Sequence, residues 1–301
     1  MLPESAELVL PGPLDLGLTL GLLKRGGSHD LTIRIESGRA WRASWTPEGP
    51  STACFELRPG TIRVQAWGPG ARWAVETAPA LLGLDDSPES FRPGHPLLFE
   101  IHRRHPGLRL GRTQAVFEAI VPTVLEQKVP SLEARAAYAT MVRALGEPAP
   151  GDAGLILPPT PRRLLQTPYW TFHHYGIERR KADVIRNAAG LAHRLNELAR
   201  IGVEEARRRL LSVPGIGPWS AAEVAAVALG DRDAVSPGDY NLPNVVSWAL
   251  AREPRGSDAR MLELLEPYRG HRARVIRLLA AAGITAPRHG PRMPLRRFAR
   301  R

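Results

Sequence analysis

Up to about residue 90, apolar positions alternate with polar ones. Leu31, Ile33 and Ile35 form one such set, and Trp41, Ala43 and Trp45 another. Phe55 with Leu57, Ile62 with Val64 and Ala66, and Trp73 with Val75 complete the series. A period of two points every second side chain to one face, so each set predicts a half-buried strand. Gly26-Gly27, Gly49-Pro50, Pro59-Gly60 and Gly68-Pro69-Gly70 supply turns between them. Residues 15–24 predict a short helix ahead of the first strand. Four of the seven tryptophans fall in this part and are expected in its core.

From Arg92 the period lengthens to that of helices. Residues 113–129 place Val116, Phe117, Ile120, Val121 and Val124 on one face, with Pro122 expected to bend the helix. Ser131 is placed to cap a helix that runs to Leu145 and stops at Gly146. Residues 146–159 read as a loop, and Thr160-Pro161 as the cap and first position of a short helix. Further helices are predicted over 177–195, 203–211, 219–229, 257–266 and 272–282. The fold class is therefore α+β. A small N-terminal antiparallel-sheet domain (1–90) precedes an all-helical domain (91–285) and a Pro- and Arg-rich basic tail (286–301).

Charge narrows the choice of partner. The 301-residue chain carries a net charge of +11, and only three of its 41 basic residues are lysine: Lys24, Lys128 and Lys181. A basic, arginine-dominated chain favours a polyanion bound through bidentate phosphate contacts. No uncharged run approaches the length of a membrane span, and no basic amphipathic helix with an aromatic face stands out, so no membrane partner is expected. The N-terminus has no basic segment ahead of an apolar one, hence no signal peptide is expected and the cytoplasm is the expected compartment. Cys54 is the single cysteine, which excludes an internal disulfide and any all-cysteine zinc or iron–sulfur site within one chain. His102 with His105, and His173-His174, lack neighbouring Asp, Glu or Cys at ligand spacing, so no metal is expected at either.

The chemistry concentrates in residues 210–242. One apolar run ends in Val213-Pro214-Gly215-Ile216-Gly217 and a second begins at Trp219. Glycines at that junction allow a very short turn between two helices. The Gly215 and Gly217 amides, near the start of the second helix, suit a phosphate. A plain turn between helices is the alternative. After Gly230 comes a polar loop ending in Ser236-Pro237-Gly238-Asp239-Tyr240. Asp239 is placed to cap the next helix, and a fixed carboxylate can also stabilise positive charge and orient a water.

A helix-hairpin-helix followed by a Gly/Pro-rich loop and an Asp resembles the DNA glycosylase superfamily named for those features. Trp219, standing where lyase-competent members have a lysine, makes the chain similar to the 3-methyladenine DNA glycosylase II family. So do His95-Pro96-Leu97, the Arg103–Leu108 stretch RRHPGL, Gly176-Ile177 with Arg180-Lys181-Ala182, and Pro267-Tyr268-Arg269. The resemblance covers nearly the whole chain and is most specific over 213–239. It implies a monofunctional glycosylase that flips alkylated purines (3-methyladenine, 7-methylguanine) out of duplex DNA and hydrolyses the base–sugar bond, opening base excision repair.

Under that reading Asp239 is catalytic, and Trp219, Tyr240, Trp170 and Tyr175 are pocket candidates. Gly215 and Gly217 would anchor phosphate. In TVLEQKV, residues 123–129, the family has an apolar wedge after the Gln, where this chain has Lys128. The wedge is Gln127, Lys128 or neither. No cofactor is expected beyond a monovalent cation on hairpin backbone carbonyls. The expected partner is damaged double-stranded DNA, bound by a nucleoid-associated monomer. A glycosylase for oxidised or deaminated bases, and a helix-hairpin-helix DNA-binding protein without catalysis, are the alternative readings.

Overall fold

In the computed structural model, which describes residues 3–287, five strands form one antiparallel sheet in the order β1-β5-β4-β3-β2. They are β1 (Glu4–Val9), β2 (Ile33–Glu36), β3 (Arg39–Thr46), β4 (Gly49–Arg58) and β5 (Thr61–Trp67). Phe55 lies opposite Ala40 on one side and Val64 on the other, which sets the register of the three central strands. The face carrying Ala40, Ala53, Phe55, Ile62, Val64 and Ala66 is covered by α1 (Leu16–Leu20) and α2 (Ala71–Leu81). Asp15 starts α1 by accepting the Leu18 amide, as a cap should.

Two expectations fail here. Trp73 and Val75 lie in α2, not in a strand. An alternation of three residues is too short to tell the two periods apart. The four tryptophans are half-buried rather than core. In β3 the positions facing the helices are Ala40 and Arg42, so Trp41 and Trp45 point to the opposite face with Ala43. There they meet Leu155 and Leu157, and the Trp45 indole donates to the Pro158 carbonyl at 2.7 Å. The 146–159 loop thus has a structural task. It carries a two-residue ladder, β6 (Glu147–Pro148) with β7 (Ile156–Leu157), that covers the tryptophan face.

The rest is helical: α3 (Pro96–Arg104), α4 (Val116–Glu126), α5 (Ser131–Leu145), α6 (Pro161–Gln166) and α7 (Tyr169–His173) come first. Then follow α8 (Arg179–Gly190), α9 (Ala192–Glu197), α10 (Val203–Leu211) and α11 (Pro218–Val224). The series closes with α12 (Leu242–Ala251), α13 (Asp258–Leu265) and α14 (Arg272–Ala281). Thr160 caps α6, and Ser257 caps α13 through the Arg260 amide. Ser131 is inside α5, after a Pro130 cap, and makes no capping bond. α4 starts late because Thr113 and Gln114 donate their amides to Val227 and Ala228 instead of entering the helix. Those acceptors sit in a π-helical turn, Ala225–Leu229, that ends α11 before the left-handed Gly230.

The helices build two cores rather than one. The larger unites α4, α5 and α8 with the hairpin helices, around Ile120, Met141, Ile185, Leu210 and Ala225. The smaller holds α3, α12, α13 and α14 together around Leu98, Val246, Met261, Leu265 and Leu278. A buried ion pair binds the smaller core to the segment after α2. Both carboxylate oxygens of Asp86 accept from Arg274 Nη2, at 2.5 and 2.6 Å, and neither side chain is exposed. Among the described residues no helix is long and apolar enough to cross a membrane. From residue 288 the basic tail lies outside the described residues.

Candidate active site

Between α10 and α11 the chain turns within six residues. Val213 donates its amide to Leu210, and Ile216 donates its amide to Val213. Gly215 has φ +89°, and a Cβ there would lie 2.3 Å from Cγ2 of Val184 on α8. Both the left-handed backbone and the close approach of α8 therefore require glycine. Gly217 has an ordinary φ of −95°, and a Cβ on it would meet nothing within 4 Å. Nothing inside the protein demands a glycine at that position. Pro218 opens α11 without an N–H, and no described acceptor takes the amides of Gly215 or Gly217. The turn therefore presents two unspent backbone donors at its outer edge.

Gln127 holds this turn from across the core. Its Nε2 donates to the Gly215 carbonyl at 3.0 Å and to Ser220 Oγ at 2.9 Å. That engagement makes Gln127 a clasp between α4 and the hairpin. Lys128, the next residue, is exposed and has φ +53°, so it caps the turn after α4 with its side chain in solvent. Lys181 on α8 is buried, with its ammonium donating to the Leu125 carbonyl at 2.8 Å.

Asp239 is fixed by three donors. Oδ1 accepts the amides of Asn241 and Leu242, each at 2.8 Å, and Oδ2 accepts the Trp219 indole N–H at 3.0 Å. The helix it serves, α12, begins at Leu242 with Asn241 at the cap position, two residues later than a cap at Asp239 itself would place it. The carboxylate nonetheless supplies the capping bonds, because Asn241 makes none with its side chain. Trp219 belongs to the hairpin and Asp239 to the α12 segment, so their bond joins the two halves of the helical region. An indole N–H on a half-buried ring needs an acceptor, and here the acceptor is the carboxylate.

The aromatic candidates divide. Tyr240 is 80% exposed beside Asp239. Trp170 is 59% exposed on α7, edge-on to Tyr169, and Tyr175 packs on Phe172. Neither Trp170 nor Tyr175 meets Trp219, Tyr240 or Asp239 in a hydrogen bond or ring contact. An open cavity of about 470 Å³ along α3, lined by Phe91, Phe99 and His102, shares no residue with this site.

Glu223, four residues after Trp219 on the hairpin's second segment, was not among the candidates. A lone Glu in Ala221-Ala222-Glu223-Val224 does not show in sequence which way it faces. It turns inward. Ser236 Oγ donates to Glu223 Oε1 at 2.5 Å, and burial raises the Glu223 carboxyl above the usual carboxylate range, with Asp239 and Glu126 adding to the shift. Opposing it are the Ser236 bond and Arg25, itself paired with Glu126 at 3.0 Å. Arg277 of α14 completes the group. Its guanidinium donates to the Leu18 carbonyl at 2.8 Å, and Glu223 is one of the charges that act on it. The signal that could have found Glu223 is its i,i+4 spacing from Trp219, which puts both on one helical face. No cluster of three or more His, Cys, Asp or Glu side chains able to hold a metal occurs among the described residues.

No protein-family model matches the chain. It is 31% identical over 230 residues to a probable bifunctional transcriptional activator/DNA repair enzyme AlkA of Mycobacterium tuberculosis, covering 72% of this chain and 43% of that protein. The chain thus spans under half the length of that relative. It superposes on the 3-methyladenine DNA-glycosylase from Archaeoglobus fulgidus with TM-score 0.77 and 24% identity, covering 91% of this chain and 97% of that one. The Clostridium acetobutylicum 8-oxoguanine glycosylase/lyase, in its apo form, gives TM-score 0.69 at 11% identity, over 93% and 98% of the two chains.

Proposed function

We propose that this chain, which has the helix-hairpin-helix glycosylase fold and resembles the 3-methyladenine DNA glycosylase II proteins, hydrolyses the base–sugar bond of alkylated purines in duplex DNA. The observation that carries the reading is the Asp239 carboxylate, held by three donors and placed beside a turn with two unspent amides. Beyond capping α12, a fixed anion next to phosphates gives a DNA-binding module nothing, whereas bond cleavage uses it.

The steps follow from the residues. A phosphate approaches the Gly215 and Gly217 amides, where Gly217 leaves room for it. The duplex hides C1′, so the damaged nucleotide turns out of the stack to reach Asp239. As the base leaves, positive charge grows on the sugar, and a pre-oriented carboxylate stabilises it without having to reorganise. Water then attacks C1′ and leaves an abasic site. Trp219 and Tyr240 offer aromatic faces to the base, which favour a cationic purine. An amine nucleophile is not provided at this point. Trp219 occupies the lyase position, and the Lys181 ammonium is buried, donating to the Leu125 carbonyl. The monovalent cation implied by the resemblance would sit on hairpin carbonyls. Those of Gly215 and Val213 already accept from Gln127 and Ile216, so each would offer its second lone pair, and no step depends on that ion.

Duplexes with single lesions test the proposal. Release of 3-methyladenine or 7-methylguanine is expected well above that of 8-oxoguanine, with no adduct trapped by borohydride and strand breaks only after alkali. Faster release of 8-oxoguanine or uracil would overturn the substrate assignment, and a trapped adduct the hydrolytic mechanism. Duplex binding with no base release would favour the non-catalytic reading.

A further inference from the structure

A cationic purine leaves with the bond's electron pair and needs no acid, but a neutral purine must be protonated as it departs. Asp239 is unsuited to that task, because both its oxygens are occupied by donors. On the glycosylase reading, we propose that Glu223 is the general acid of this site, donating a proton to the departing base and extending the substrate range to neutral damaged purines.

Placement comes first. Glu223 lies one helical turn beyond Trp219, whose indole holds Asp239, so its side chain rises on the face that carries the catalytic pair. The loop that delivers Asp239 also holds Glu223, through Ser236 three residues upstream. Helix spacing and the Ser236 bond therefore direct this carboxyl toward the loop that carries Asp239. Its hydrogen bonding suits a neutral acid. Among the described residues it receives one bond, from Ser236 to Oε1, which leaves Oε2 to carry a proton.

The charges around it agree. Burial and the Asp239 charge from the loop disfavour a second anion, while Arg25 and Glu126, paired with each other at 3.0 Å, act on Glu223 in opposite senses. Arg277 on α14 is held back by its bond to Leu18. Glu223 and Arg277 both keep some solvent exposure.

The step balances as follows. The C1′–N9 bond breaks with its electron pair going to the purine, and the Glu223 proton passes to a ring nitrogen of the base. A water oxygen bonds to C1′ and releases its proton to solvent, while the Asp239 carboxylate stays ionised and stabilises the sugar cation. Solvent then returns a proton to Glu223, so the net reaction consumes one water.

Single-turnover release from two duplexes, one carrying 7-methylguanine and one hypoxanthine, measured across pH, decides the matter. The wild type is expected to release both, with the hypoxanthine to 7-methylguanine rate ratio falling about tenfold per pH unit above the titration of Glu223. Glu223→Gln keeps an acceptor for Ser236 and should lower that ratio by about 100-fold, with the pH dependence of the ratio gone. Equal losses on both bases, a ratio flat with pH in the wild type, or release of 7-methylguanine without hypoxanthine would overturn the proposal. If the variant does not fold, the wild-type ratio decides alone. Failure to release either base would instead sink the glycosylase reading, and this proposal with it.

Discussion

Asp239 both caps α12 and carries the negative charge of the site, and one substitution separates these roles. Asp239→Asn keeps an oxygen for the Asn241 and Leu242 amides, so the fold and duplex affinity should persist. Base release should fall about 100-fold or more, the usual loss when a transition-state stabilising group is removed. Wild-type release rates in this variant would remove Asp239 from the chemistry. At this scale the sequence was most informative where backbone chemistry fixes residue type. Gly215 and Asp239 stand out because a tight turn and a helix start admit few alternatives. Glu223 was hidden because an acidic residue among alanines says nothing about which way it faces. The role of Gln127 as a clasp was equally hidden, since its partners lie 88 and 93 residues away.

The hairpin as an element offers a paired test. Gly215→Ala combines a left-handed backbone with a collision on Val184, and should cost on the order of 2 kcal/mol in unfolding free energy. Gly217→Val meets open space, so its unfolding midpoint should stay close to wild type. Its affinity should fall on damaged and undamaged duplexes alike, by blocking the approach of the DNA backbone. A loss confined to damaged DNA would mean that this turn is not the phosphate anchor. Helices with long apolar periods, such as α10 and α5, were legible to within a residue or so at their ends. The misreadings have local physical causes. Trp73 and Val75 alternate over too few residues to exclude a helix, and residues 177–195 break at Leu191 into α8 and α9. Which face of β3 meets the helices depends on α1 and α2, not on the strand itself.

At the scale of the molecule, long-range charge pairs decide what periodicity cannot. Arg274 is wholly buried against Asp86, 188 residues away in sequence. Asp86→Ala would strand that guanidinium and should destabilise the protein by about 3–5 kcal/mol, measurable as a shift in the denaturant midpoint. A shift under about 1 kcal/mol would show that Arg274 finds water or another acceptor. The partition of the helices into two cores was likewise invisible in sequence, because each helix shows an apolar face without showing what it meets. Duplex binding, for its part, should weaken with salt, with a log–log slope of roughly −0.9 for each phosphate neutralised.

The scarcity of lysine turns the exposed turn after α4 into a chemical reporter. Guanidinium groups ignore amine-acylating reagents under mild conditions, and the Lys181 amine is buried on a carbonyl. Lys24 is half-buried, so Lys128 should be the side-chain amine that acylates fastest. Because Gln127 ties that turn to the hairpin, bound duplex should shield Lys128 selectively, and peptide mass mapping should show its labelling drop while that of Lys24 holds. Unchanged labelling of Lys128 in the complex would place the DNA on another face.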